Sequence, residues 1–209
     1  MTTATAHALD WYPEPTEEPA ESRVVLDGLE WSDYLRLLRL KGDAPAPRMA
    51  YLDGFLEIMS PGIAHEETKK TMARLLELYA LLRGLDLYGL GSMTMRKGKR
   101  RGGVEPDECY VIGRERRATA DLALEVAYTS WGVAKLEIYR RLKVREVWVW
   151  RGGEIAIHVL RGRAYEESTR SEVLPDLDMA TFVRCLSLPN QLDAVRAWQA
   201  HLAGAASSV

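Results

Sequence analysis

Cysteine is nearly absent: Cys109 and Cys185 are the only two in 209 residues. They form neither a disulfide framework nor the paired spacing of a zinc site, which excludes a small stapled secreted fold and favours a reducing compartment. An excess of one charge is also lacking. Lys and Arg number 28 against 30 Asp and Glu, a formal net charge of -2, so phosphate contact has to come from a local patch. No run of about 18 apolar residues exists to span a membrane. The N-terminus carries no basic segment followed by an apolar one, as a signal peptide would. Repeats are missing too. What remains is 47% hydrophobic residues, enough for one well-packed domain and too short a chain for two large ones. These features predict a cytoplasmic, non-membrane protein.

Residues 1–22 read as a disordered tail. Tyr12-Pro13-Glu14-Pro15-Thr16-Glu17-Glu18-Pro19 is acidic and proline-rich and has too little apolar surface to offset the entropy of ordering. The domain then runs over 23–209, with order starting near Val24. Trp31 to Leu38 has helical spacing, with Ser32 or Asp33 as a cap. Asp53-Gly54 between two apolar runs predicts a hairpin. From Ala64 to Arg83, Met72, Leu75, Leu76, Tyr79 and Leu82 form one helical stripe, with Gly84 as the stop. Period-two patterning predicts strands near 86–96, 105–112 and 121–128. A helix follows over 131–143, then a hairpin over 145–160 with Gly152-Gly153 at its turn. Short helices near 181–186 and 191–202 end the chain. Hairpin, helix, strands, helix and strands in that order predict an α/β or α+β layer fold.

Two carboxylates stand out. Asp107 follows Pro106, and Glu125 sits within Leu122-Ala123-Leu124-Glu125-Val126. Their separation is 125 − 107 = 18, with its midpoint at residue 116, inside the polar segment Gly113–Arg117. A hairpin turning there puts Asp107 opposite Glu125 on one face, with Cβ atoms about 4.5–5.5 Å apart. Carboxylates that close repel one another, and a divalent cation between them relieves the repulsion. On Glu125's face the neighbours Ala123 and Ala127 are small and leave room. Lys135, on the next helix, can turn back toward the strand ends. Each residue also has a plain reading: an aspartate after proline opens turns, a strand glutamate pairs with arginine, and a helix lysine is solvated. Arg96, Lys97, Lys99, Arg100 and Arg101 form a candidate grip on a phosphate backbone, or simply a solvated tip that discourages edge pairing.

Several motifs recur in a fixed order. They are Tyr51-Leu52-Asp53-Gly54 with Glu57, Ser60-Pro61 with His65, Glu105-Pro106-Asp107, Leu124-Glu125-Val126, Lys135 with Tyr139, and Val144-Arg145-Glu146-Val147-Trp148. From about Trp31 to Leu188 the chain resembles the Uma-type family of restriction endonucleases, within the PD-(D/E)xK nuclease superfamily. That resemblance implies a restriction-endonuclease-like α/β fold: a central mixed sheet flanked by helices, with an N-terminal β-hairpin and a C-terminal helix. It implies a metal-dependent phosphodiesterase using Mg²⁺ or Mn²⁺, with Asp107 and Glu125 as metal ligands and Lys135 as the catalytic lysine. Glu57 and His65 are implied as further site residues. The wider superfamily places its lysine two positions after the acid, where this chain has Ala127; the Uma-type branch carries it on the following helix, where Lys135 stands. The implied partners are nucleic acid, DNA foremost, and a second copy of the chain as a homodimer. The alternative is a nuclease fold kept as a DNA-binding or assembly module without turnover.

Overall fold

The structure is a computed structural model that describes residues 20–97, 102–115 and 117–206. Lys99, Arg100, Arg101 and the expected tail up to residue 19 lie outside the described residues. The elements are β1 (Glu21–Leu26), α1 (Trp31–Lys41), β2 (Arg48–Leu52), β3 (Phe55–Pro61), α2 (Ile63–Arg83), β4 (Leu87–Gly89), β5 (Met95–Lys97) and β6 (Gly102–Val104). They continue with β7 (Glu108–Ile112), β8 (Leu122–Val126), α3 (Lys135–Leu142), β9 (Glu146–Arg151), β10 (Glu154–Arg161), β11 (Ala164–Ser168), α4 (Met179–Leu186) and α5 (Gln191–Ala206).

The strands form two sheets. The mixed sheet has the order β11-β10-β9-β8-β7-β4 and is parallel only between β8 and β9. A parallel pair needs a crossover, and α3 provides it, which carries Lys135 back over the sheet. The Asp53-Gly54 hairpin forms as its sequence demands: both residues have positive φ, 46° and 106°, the signature of a tight hairpin turn. This hairpin is not a mere appendage. It recruits β1, β5 and β6 into a second, antiparallel sheet of order β1-β3-β2-β6-β5. The run expected as one strand over 86–96 divides between the sheets, because the chain turns at Gly91 (φ 60°). The strands β1, β6 and β11 were not expected, and the strand expected over 105–112 begins only at Glu108. The helix foreseen from Trp131 begins only at Lys135, and α1 is capped by Glu30, with Asp33 accepting from the Glu30 N–H at 3.0 Å.

Strand alternation sorts the core. One face of the mixed sheet presents Leu122, Leu124, Val126, Tyr110 and Trp148 to Met72, Leu75, Leu76 and Tyr79 of α2, with Phe182 of α4 and Trp198 of α5 behind. Trp198 is locked by donating to the Leu75 carbonyl at 2.8 Å, so α5 covers its own domain. Leu82, the last member of the expected α2 stripe, is exposed. The other face presents Ala123, Ala127, Cys109, Val147 and Val149 to Ile138, Tyr139 and Leu142 of α3 and to Ala50, Met95 and Val104 of the second sheet. Under α1, the Tyr34 and Tyr51 rings stack at 5.3 Å. Among the described residues no helix is long and apolar enough to cross a membrane.

Candidate active site

Glu125 lies on the small-residue face of β8, between Ala123 and Ala127, where the mixed sheet meets α3 and the second sheet. The register of β7 and β8 pairs Glu108 with Leu124 and Cys109 with Ala123. Asp107 immediately precedes β7, and the same register continued by one residue would bring it opposite Glu125. Its carboxylate Oδ2 accepts from the Val126 N–H at 2.6 Å, which holds it against the end of β8. Asp107 is 1% exposed and Glu125 0%.

Each carboxylate has its own partners. Glu125 Oε2 accepts from Lys135 Nζ at 2.9 Å, and Oε1 accepts from the Tyr139 hydroxyl. Lys135 and Tyr139 are one turn apart on the buried face of α3, so a single helix delivers both donors. Lys135 Nζ also lies 3.6 Å from Glu57 Oε1 and 5.5 Å from the Trp131 ring. Glu57 Oε2 accepts from the Gly132 N–H at 2.6 Å. Asp107 Oδ1 is taken by Arg48, whose other nitrogen reaches Glu66 Oε1 at 2.9 Å. His65 Nε2 faces Asp107 Oδ2 at 3.2 Å and the Val126 carbonyl at 3.1 Å. Both are acceptors, so Nε2 carries the hydrogen. From β1, Arg23 pairs with Glu57 and Glu21, and Glu21 accepts from the Thr129 N–H at 2.8 Å.

Asp107, Glu125, Lys135, Glu57 and His65, the five expected site residues, therefore meet in one cluster. Arg96 and Lys97 do not join it: they sit exposed on β5, an edge strand of the other sheet. Four participants went unassigned from sequence. Tyr139 was legible from its i+4 spacing to Lys135. Arg48, a charge at the head of the buried strand Met49-Ala50-Tyr51, was a weaker signal. Glu21 and Arg23 gave none, since β1 itself was not expected.

Burial raises the carboxyl of Glu125 above the usual range, and the charge of Asp107 adds to this against the pull of Lys135 and Tyr139. Asp107 is equally buried, yet the His65 hydrogen bond and the charges of Arg48, His65 and Lys135 outweigh burial and hold it low. Burial alone would lower Lys135; Glu125, Glu57 and Asp107 raise it instead. A buried ion network of this size adds little net stability. Buried polar atoms around it without a hydrogen-bond partner include, among the described residues, Glu21 Oε2, Arg48 Nε, His65 Nδ1 and Trp131 Nε1. Among the described residues no group of three or more His, Cys, Asp or Glu is placed to hold a metal ion.

A family model named Uma2 and described as "Putative restriction endonuclease" matches residues 31–193. Among solved structures, one titled as a "putative nuclease" from Anabaena variabilis aligns with 17% identity over 77% of this chain and 96% of that one, at a TM-score of 0.48. No curated protein matches the chain.

Proposed function

The chain belongs to the Uma2 family of restriction endonucleases, and from that membership we propose that it hydrolyses phosphodiester bonds in DNA with a divalent cation, Mg²⁺ or Mn²⁺, held by Asp107 and Glu125. The observation that supports this reading is the burial of Asp107, just before β7, and Glu125, on β8, in one ion network, with Asp107 on the Val126 N–H and Lys135 Nζ 2.9 Å from Glu125. A cation bound there would polarise a phosphate oxygen and make a bound water acidic enough to attack. The residues of the chain supply the rest. Lys135, held charged by three carboxylates, orients the attacking water and offsets charge growing on the phosphate. Tyr139 holds the second Glu125 oxygen in place. His65 and the Val126 N–H fix the rotation of Asp107. Glu57 ties Lys135 to the loop before α3 through Gly132.

The site is nearly sealed, with Lys135 only 3% exposed. A phosphodiester reaches it only when the packing around these buried side chains opens. That burial favours a second reading, a nuclease fold retained for DNA binding without turnover. Homodimer formation is carried in the first reading by the resemblance alone and is checked by analytical ultracentrifugation.

The deciding experiment is Mn²⁺ calorimetry on the wild type, Asp107→Ala and Glu125→Ala, run beside a supercoiled-plasmid nicking assay and a nitrophenyl phosphate control. Metal binding and nicking lost together in both variants supports the nuclease. A wild type that binds no Mn²⁺ at millimolar concentration refutes it, and turnover of only the small phosphoester would reassign the substrate class.

A further inference from the structure

With a net charge of -2, any phosphate-binding surface has to be a local concentration of positive charge. One lies outside the ion network. A cleft of about 630 Å³ opens between the C-terminal end of α3 and the turn joining β10 to β11, lined by Arg140, Arg141, Lys143, Leu160, Gly162 and Arg163. Four of these are cationic and none is acidic. Two acids touch it from its rim: Glu137 accepts from Arg140 at 2.6 Å and from Arg141 at 2.7 Å, and Asp53 accepts from Arg141 at 2.8 Å. These pairs hold the two guanidiniums in place. Among the described residues Lys143 and Arg163 have no carboxylate partner, so the cleft keeps two uncompensated charges.

The helix alone accounts for part of this. Cations in a last turn complement the negative end of the helix dipole, which covers Arg140, Arg141 and Lys143. It does not cover Arg163, which enters the same cleft from a different element. Nor does it explain why a lysine stands at the α3 cap with φ 62°, a left-handed conformation that glycine adopts without strain. A side chain kept where glycine would be easier points to use of its charge.

We infer that this cleft binds the backbone phosphates of duplex DNA flanking the reacting bond; the inference rests on the nuclease reading and extends it. Lys135 and Lys143 are eight residues apart on one helix, about 12 Å at 1.5 Å per residue. A duplex carries about one charge per 1.7 Å of axis, so about seven phosphate charges fit within that span. The lining contains no aromatic ring to stack a base, and its cationic groups match phosphate oxygens. The contact inferred here is with the backbone, which positions a duplex without reading its sequence.

The test measures duplex affinity by fluorescence anisotropy in EDTA across a salt series. It compares wild type with Lys143→Glu/Arg163→Glu, with Lys143→Gly, and with a distant reversal, Arg36→Glu. The double reversal is expected to weaken binding about tenfold or more and to flatten the salt slope by about 2, near 0.9 for each phosphate that is no longer neutralised. Arg36→Glu should change neither. Lys143→Gly separates binding from folding: relief of the positive φ should hold or raise Tm while affinity still falls. Unchanged affinity and slope in the double reversal overturn the inference, as does a wild type that binds anionic vesicles but not duplex. A wild type that binds duplex through the cleft yet takes up no Mn²⁺ and nicks nothing removes the nuclease reading and leaves the cleft standing. One that nicks while the reversal binds as tightly as wild type removes the cleft alone.

Discussion

Replacing Lys135 by methionine keeps the length and most of the volume of the side chain and removes only its charge. The ammonium is buried, 2.9 Å from Glu125 and 3.6 Å from Glu57. Its loss leaves Glu125 with Tyr139 alone and with Asp107 opposite, inside a 0% exposed pocket. Breaking a buried pair by removing one partner costs about 3–5 kcal/mol. For a chain of 150–250 residues Tm shifts by about 2–4 °C per kcal/mol, so Lys135→Met should melt about 6–20 °C below wild type. Adding Glu125→Gln removes the stranded charge, and the double variant should recover most of that loss. Mn²⁺ should raise the Tm of Lys135→Met more than that of wild type, because a cation then supplies the missing positive charge. Differential scanning calorimetry on the wild type and these variants, with and without Mn²⁺, measures every arm. A Lys135→Met that melts with wild type, or a double variant no more stable than the single, would refute the account of this pair as a buried and mutually dependent one.

Three further outcomes follow from other parts of the molecule. Asp178 caps α4 by accepting from the Thr181 N–H at 3.1 Å, so Asp178→Ala should lower stability by about 1 kcal/mol in urea unfolding. A Cβ at Gly103 would stand 2.5 Å from the Tyr34 hydroxyl and 2.6 Å from its Cε1, in a fully buried ring. Gly103→Ala should therefore cost about 1–3 kcal/mol, and Tyr34→Phe in the same chain should return part of it. Hydrogen bonds from Arg140, then from Arg141, hold the Glu137 carboxyl down at about 2. Its folded value lies below its unfolded value, so its contribution is present above the ordinary glutamate range and is lost as pH falls toward 2. Glu137→Gln should flatten that limb of the stability–pH curve, by a small amount because the group is partly solvated.

The approach of Asp107 to the Glu125 strand was legible because a hairpin's register is arithmetic: 107 and 125 sum to the same value as 108 and 124, the last pair the strands form. The Asp53-Gly54 turn and the α2 stripe were legible for equally local reasons. Local pattern could not divide 86–96 between two sheets, since which sheet a short strand joins is decided by distant partners. For β4 that partner is β7, and for β5 it is β6. The edge strand β1 escaped notice because Val24, Val25 and Leu26 are all substantially exposed and show no alternation. The counter-charges of the site escaped for a related reason. Arg23 and Arg48 are ordinary arginines until the second sheet lays them against Glu57 and Asp107, and nothing in their spacing to 107 or 125 encodes that meeting.

The split of the site between sheets bears on how the chain acquires it. Asp107, Glu125 and Lys135 belong to a short-range hairpin and its crossover helix, whereas Arg48 and Glu57 arrive from strands well upstream: Arg48 lies 59 residues before its partner Asp107 (107 − 48) and Glu57 lies 78 before Lys135 (135 − 57). Pairings of such sequence separation are slow to close. A folding chain that has built the mixed sheet but not yet docked the antiparallel one would have Lys135 beside Glu125 but would lack Arg48, the arginine that pairs with Asp107. Divalent cations present at that moment would act as a folding aid, and refolding rates should rise with Mg²⁺ even in variants that have lost all turnover.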